Sequence, residues 1–466
     1  MVIADLPEAP DPAADGTLAW ANPDPSGVPC LVTASPGPLS RDWHRRMERH
    51  TGGSVTRMVK LHPVAYRSGR GVTLTDVDGN TYLDFSSGIV VTNIGHAHPK
   101  VAEAIASAAA RLDNIHDFAS PEKVEALEAL ATVTPPGLDL FTFFSSGTEA
   151  VEAAMRVARA VTGRAGFVSF HNDYHGRTGG AASVTSSRSS NGARDPGSYL
   201  VPSGHCYRCS FGLTHPGCGL RCARFVEESV QQNLPGQLAG AVMELVTNGN
   251  GATVYQPGYV SATADAVRRS GGVFIADEIA TGFGRTGAWF ACDDEGVVPD
   301  VMAIGKGMGN GFPVTAIAVR REFAEALEAS FPSTSYGGNP MACAAVAAVV
   351  RVMREEDLVG HARQVGELAL DRLRRMAARH PLIGEVRGRG MLLAVELVKD
   401  PVTREPFVEA GNFVYQEAFR HGLAWASAGH ILRITPPIVI SVELMTRGLD
   451  IIEEAIGAAE RRFGYG

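Results

Sequence analysis

Lys306 closes an apolar run in the segment MAIGKGMGNG, with a glycine on either side. Flanking glycines let a backbone turn tightly and let a ligand come close. A lysine so placed can form a Schiff base with a carbonyl compound, because burial readily lowers its pKa. The segment is not a P-loop, since Gly307 rather than Ser or Thr follows the lysine and the upstream glycine spacing fails. It is also a poor dinucleotide fingerprint, its third glycine being misplaced. Upstream by 306 − 277 = 29 positions, Asp277 and Glu278 end the run IAD in IADEIATGFGRTG (275–287). Ligands of parallel sheets sit at the carboxyl ends of strands. A carboxylate there can keep a pyridinium nitrogen protonated and turn the ring into an electron sink. The plainer uses of Asp277 are a solvated loop carboxylate or a partner for Arg285.

Two further segments could hold a flat, phosphorylated ligand. SSGTEA (145–150) joins a strand pattern to a helix pattern, and small residues at a helix start leave N–H groups free for a phosphate. An ordinary capped helix start would read the same way. YHG (174–176) follows the strand pattern GFVSF, and an aromatic there can stack on a ring. Taken alone, a core tyrosine and a satisfied histidine explain it equally well. The segment HCYRCSFGLTHPGCGLRC (205–222) places Cys206, Cys209, Cys218 and Cys222 in a C-x2-C-x8-C-x3-C spacing. Such spacing suits a tetrahedral zinc site, an iron–sulfur centre, or four reduced thiols, and the sequence does not choose among them.

These residues need a scaffold, and the hydrophobic pattern outlines one. LFTFFSS (140–146), GFVSF (166–170), AGAVMELV (239–246), GVFIADEIA (272–280), DVMAIG (300–305) and VTAIAVR (314–320) read as strands. GTEAVEAAMRVARAVTGR (147–164) and YVSATADAVRRSG (259–271) read as helices, the first opened by Ser146 and Glu149 at capping-box spacing. Alternating strands and helices argue for an α/β domain with a mainly parallel sheet. From about 343 the pattern turns helical and then mixed, as for a smaller α+β domain.

The chain has 466 residues, length enough for about three ordinary domains and a large core. Lys and Arg number 42 against 50 Asp and Glu, a net charge of −8 that gives no electrostatic footprint for nucleic acid. No apolar run nears the roughly 20 residues that cross a bilayer. The start, MVIADLPEAPDPAADG, lacks the basic and apolar regions of a secretory signal, so the cytoplasm is the expected compartment and the seven cysteines are expected reduced.

Taken together and in order, GHAHP (95–99), SSGTEA, YHG, DEIATGFGRTG, Lys306, SYGGNP (335–340), RGRGMLLAVEL (387–397) and LRITPP (432–437) resemble the class III, or ω-, aminotransferases. The resemblance spans roughly residues 60–460. It implies fold type I: a large domain with a mainly parallel sheet flanked by helices, and a smaller α+β domain from the two chain ends. The expected partition is an irregular arm over 1–40, the first part of the small domain over 41–95, the large domain over 96–342 and the rest of the small domain over 343–466. The implied cofactor is pyridoxal 5'-phosphate. Lys306 matches the residue that carries it and shuttles the proton, and Asp277 matches the partner of its ring nitrogen. Tyr174 matches the stacking aromatic, with His175 beside it. Ser146, Gly147 and Thr148 match the phosphate turn. Ser335 stands where the family usually has a threonine that reaches the phosphate from the neighbouring subunit, which implies a homodimer with shared sites.

Two positions concern substrate. Arg433 matches the arginine that takes an α-carboxylate in ornithine and 4-aminobutyrate aminotransferases. Glu244 matches the glutamate that neutralises this arginine and swings away when a carboxylate arrives, although Leu245 replaces the proline that usually follows. Ala280 stands where many members have a glutamine that meets the ring hydroxyl, as it also does in the diaminopelargonate branch. The resemblance implies a ping-pong exchange between an amine or amino-acid donor and a keto-acid or aldehyde acceptor. Amino acids and amine-bearing sugars, such as aminoglycoside intermediates, both fit as donors. An epimerase, racemase or aminomutase on the same scaffold is the nearest alternative.

Overall fold

The structure, a computed structural model, describes residues 16–186, 195–249, 251–331, 333–425 and 429–465. Its centre is a seven-stranded sheet made of β4 (Leu138–Phe144), β5 (Gly166–Phe170), β6 (Ser198–Val201), β7 (Leu238–Glu244), β8 (Val273–Asp277), β9 (Val301–Ile304) and β10 (Thr315–Arg320). The spatial order is β4-β10-β9-β8-β7-β5-β6. Every pair from β6 to β9 is parallel, and β10 runs antiparallel to both neighbours.

The strand sequences divide their side chains between two cores by simple alternation. On β8, Val273 and Ile275 join one apolar cluster while Phe274 and Ala276 join the other. Val301 and Ala303 against Met302 and Ile304 repeat this on β9. Both faces are therefore covered, as a parallel sheet requires. The helix Gly147–Thr162 supplies one cover, burying Val151, Ala154, Met155 and Ala158. It ends at Gly163, whose φ of 67° is the left-handed stop that glycine accepts without strain.

The two chain ends build the rest together. β1 (Tyr66–Arg70), β2 (Thr73–Asp76) and β3 (Thr81–Asp84) form a sheet completed by β13 (Leu423–Ala424) from the far end of the chain. A second small sheet joins β11 (Ile383–Arg389), β12 (Leu392–Leu397) and β14 (Ile431–Ile434). Arg285, fully buried, ties these parts to the large sheet's loops. It donates to Asn93 Oδ1 at 2.7 Å, to Ser87 Oγ at 3.2 Å and to the carbonyl of Met391 at 3.1 Å. Burial lowers its pKa to about 9.

The N-terminal arm is less irregular than its composition suggests. Residues 1–15 lie outside the described residues, but Gly16–Ala21 is a helix and Trp20 is buried. Trp20 packs edge-on to His98 at 5.1 Å, and the amide N–H of Val72 donates to the Ala21 carbonyl. Tertiary contact overrides a Pro- and Asp-rich context here.

Gly240 on β7 offers a test of how tightly the sheet is covered. A Cβ there would lie 2.6 Å from the Val273 carbonyl oxygen. Gly240→Ala should lower stability by about 1–3 kcal/mol, the usual range for overpacking. Gly27→Ala, where a Cβ meets nothing within 4 Å, should leave the urea midpoint unchanged.

Candidate active site

The site forms where parallel strands end. Glu244 and Asp277 are register partners on β7 and β8, so two carboxylates reach the same edge of the sheet. Lys306 follows β9 in a tight turn (Lys306–Met308) with φ at 46°, a left-handed conformation uncommon for a side-chain-bearing residue. Its neighbour Gly307 cannot be larger, because a Cβ would lie 2.3 Å from Asn93 Nδ2. All three groups line a cavity of about 380 Å³.

The opposite wall is the start of the helix Gly147–Thr162. Ser146 caps it, accepting from the Glu149 N–H at 3.4 Å, and the Glu149 carboxylate accepts from the Ser146 N–H at 2.8 Å. The expected capping box is present. The next amides in the first turn, at Gly147 and Thr148, face the same cavity and have no place in the intrahelical ladder. The Tyr174–Gly176 loop closes against this turn. Gly176 (φ 146°) sits so near that a Cβ would meet Thr148 Oγ1 at 1.8 Å. Tyr174, half-buried, forms part of the wall.

Below the cavity floor lies a charged cluster with little water. Asp277 Oδ2 lies 2.7 Å from His175 Nδ1, and Oδ1 accepts from the Ile279 N–H at 3.1 Å. The weighed pairing of Asp277 with Arg285 does not occur; that guanidinium is spent on Asn93, Ser87 and carbonyl oxygens. Glu244 accepts from the Tyr174 N–H at 2.9 Å and from the Asn248 N–H at 3.1 Å, one bond to each oxygen. It is thus held by two backbone donors. Burial, and then Asp277, push its pKa up. Burial holds the Lys306 amine below the ordinary lysine range, opposed by Asp277 and Glu244 and assisted by Arg433. Arg433, on β14 opposite Ala394, is lowered by burial and supported by Glu244.

This arrangement fits a planar, anionic, aldehyde-bearing pyridine. The helix start can take a phosphate, Asp277 a ring N–H, Lys306 a carbonyl carbon and Tyr174 a ring face. Ala280 contributes only a methyl group to the wall. Ser335 is exposed and does not line this chain's cavity. Sequence reasoning missed Asp173, Arg177, Thr178, Ile279 and Thr315. Four of these line the cavity, and Asp173 lies buried behind it. Thr315 donates to the Ser146 carbonyl at 2.9 Å, a link between β10 and the helix start that no local motif announces.

The cysteine segment has one short turn (Cys206–Arg208) and runs at its end into the helix Arg221–Asn233, which carries Cys222; its four thiols are free. Among the described residues, the one group of three ligand atoms within 4.8 Å is His205, Glu385 and Glu396. Arginines already occupy it, Arg387 at 2.7 Å and Arg208 also pairing with Glu396. No helix among the described residues is long and apolar enough to cross a membrane.

The fold and this constellation define a pyridoxal-phosphate transferase of fold type I. Residues 55–456 match the family described as Aminotransferase class-III. The chain is 36% identical to the 4-aminobutyrate aminotransferase of Mycobacterium leprae over 92% of this chain and 98% of that one. It is 32% identical to the leucine/methionine racemase of Thermococcus litoralis over 86% and 92%. Among solved structures it resembles the ω-transaminase of Pseudomonas jessenii in complex with PMP, with a TM-score of 0.84, 25% identity and coverage of 89% and 97%. The chain belongs to the class III aminotransferases, enzymes that use pyridoxal 5'-phosphate.

Glu278, beside Asp277, serves structure and generates a pH prediction. It is buried and accepts from the Ala291 and Cys292 N–H groups at 3.0 and 2.8 Å. Burial raises its pKa from 4.5 to about 7. Between those values the native state keeps a proton that the unfolded state has lost, so this group makes stability fall as pH rises. Glu278→Gln should flatten that part of the stability curve, measured by urea unfolding at a series of pH values. An unchanged slope would show that Glu278 titrates normally.

Proposed function

We propose that the enzyme moves an amino group from an amine or amino-acid donor to a keto-acid or aldehyde acceptor in a ping-pong cycle. The observation that carries this reading is the convergence of Lys306, Asp277 and Glu244 on one cavity faced by a capped helix start. The bound cofactor supplies an aldehyde to receive the amine and a ring that takes up negative charge. The protein's groups do the rest. Lys306 holds the cofactor covalently and moves a proton at the substrate's α-position. Asp277 keeps the ring nitrogen protonated. Tyr174 would face the ring, and Gly147 and Thr148, with Ser146, would receive the phosphate. His175 orients Asp277.

For substrates we favour a donor whose amine carbon bears no carboxylate, such as an ω-amino acid, paired with an α-keto acid. Arg433 binds the α-carboxylate of the second partner, and Glu244 balances that arginine when the first is bound. The support that Glu244 gives to the charge of buried Arg433 favours this. Amine-bearing sugars remain an arm of the donor screen. The likeness to a racemase motivates one rival, in which nitrogen returns to the same substrate. Incubation with single amino acids and no keto acid separates the two. A transaminase stops after one half-reaction, whereas a racemase keeps turning over.

The working form is proposed to be a homodimer, with Ser335 of the neighbouring subunit completing the phosphate site. Ser335 lies among exposed apolar side chains, Phe331 at 72% and Tyr336 at 68%, a surface that suits burial against a second copy. Sedimentation should give a dimer, and a monomer that turns over normally would remove Ser335 from the site.

Lys306→Ala should lose nearly all turnover and the visible absorbance of the covalently held cofactor, while still retaining cofactor loosely. Asp277→Asn should slow both half-reactions far more than it weakens cofactor binding. Arg433→Ala should damage the half-reaction with the α-keto acid by roughly 2–5 kcal/mol, as for loss of one member of a desolvated charge pair. The amine half-reaction should suffer less. Single-turnover kinetics of each half-reaction test this, and equal losses would make Arg433 structural.

A further inference from the structure

Behind the cavity floor, the Asp173, His175 and Asp277 side chains line up with almost no exposure to solvent, 0%, 0% and 5%. The imidazole stands between two carboxylates. Its Nδ1 is 2.7 Å from Asp277 Oδ2, and its Nε2 is 3.7 Å from Asp173 Oδ2. Nε2 has no hydrogen-bond partner, and neither does Asp173 Oδ1. Asp173 Oδ2 is fixed in place by the Glu244 N–H at 3.0 Å.

Asp277 can accept but not donate while it is ionised. His175 must therefore present its proton at Nδ1. In a neutral ring this leaves Nε2 as a bare acceptor, facing the oxygen of a second acceptor. Two lone pairs turned to each other in a dry interior repel. One proton between them converts the contact into an attraction. That proton can reside on Asp173, giving a carboxylic acid and a neutral ring, or on Nε2, giving a carboxylate and an imidazolium. Either form keeps the Nδ1 proton aimed at Asp277.

We propose that Asp173 is a positioning residue that shares one proton with His175 and so fixes the imidazole tautomer presented to Asp277. The proposal rests on the reading of Asp277 as partner of the cofactor's ring nitrogen. Burial raises the pKa of Asp173, with Glu244 and then Asp277 adding to it, while the Glu244 N–H and the Tyr255 hydroxyl act the other way. The other titratable groups facing Asp173 are the buried phenols of Tyr255 and Tyr259, both pushed up by burial. Loss of the shared proton at high pH leaves one extra negative charge behind Asp277. That charge strengthens the hold of Asp277 on a ring N–H.

Two variants of similar volume test this in the holoenzyme. Asp173→Asn has no proton to lose but keeps an oxygen for the Glu244 N–H. Asp173→Leu offers no polar atom at all. The readouts are the pH titration of the bound cofactor's visible absorbance, and kcat and KM for each half-reaction. The Asn variant is expected to keep kcat within a few-fold of wild type and to lose one spectral ionisation that wild type shows. The Leu variant is expected to lose roughly 10–100-fold in kcat with little change in KM, as for other groups that orient a catalytic residue. A wild-type pH titration in the Asn variant would overturn the proposal, as would equal loss of kcat in both variants. Should the Leu variant not fold, the Asn titration still decides. Asp277→Asn measured alongside separates the two levels. If it is also silent, the reading of Asp277 has failed; if it alone is crippled, the role given to Asp173 has failed.

Discussion

A carboxylate held at the dry end of β8 is the constraint on which the site depends. Asp277 is buried, and a buried anion persists only if its surroundings stabilise the charge. Here the stabilisation is local and specific: His175 on one oxygen, the Ile279 N–H on the other. Those two partners come from loops that the sheet itself spaces, after β5 and after β8. A one-residue shift of strand register would turn Asp277 to the opposite face. The parallel register that pairs Glu244 with Asp277, and Asp277 with Ala303 on β9, is thus a chemical requirement as much as a packing one.

The same strands were the most legible part of the sequence. Their apolar runs are nearly continuous because both faces are buried, so each segment announces itself without help from distant residues. The helix after Ser146 was legible for a different reason, because its capping box is a purely local interaction. Lys306 and Asp277 could be picked out by chemistry, since glycines around a lysine and a carboxylate at a strand end are unusual arrangements.

What could not be read depends on contacts between distant segments. The helix Gly16–Ala21 forms in an unpromising composition because Trp20 finds His98 and Asn22 donates to the Val439 carbonyl. Arg285 looked like a partner for Asp277, yet it draws its partners from residues up to 198 positions away. Asp173 carries no local signal, since a lone aspartate before Tyr174 is an ordinary loop residue until His175 is seen folded over it. Leu245 raised doubt about the path after Glu244. It is buried, and Val246 goes on to bridge Val254, so the chain continues as structure and a core side chain occupies the position of the family's proline.

The hold on Glu244 changes how a charge gate would work here. Each of its oxygens accepts a backbone N–H, from Tyr174 and from Asn248. Moving the side chain aside would break two bonds to a charged acceptor, and such bonds contribute about 1.5–3 kcal/mol each. Arg433 sits on a different sheet, on β14, and owes nothing of its backbone position to Glu244. The cheaper adjustment lies on the arginine's side. A guanidinium that turned from a fixed carboxylate toward an arriving one would exchange one anion for another. A fixed Glu244 also keeps constant the field felt by Lys306, whose amine it supports in both states. On the roles proposed for Lys306 and Arg433, the proton shuttle and the carboxylate binder would share that one anion.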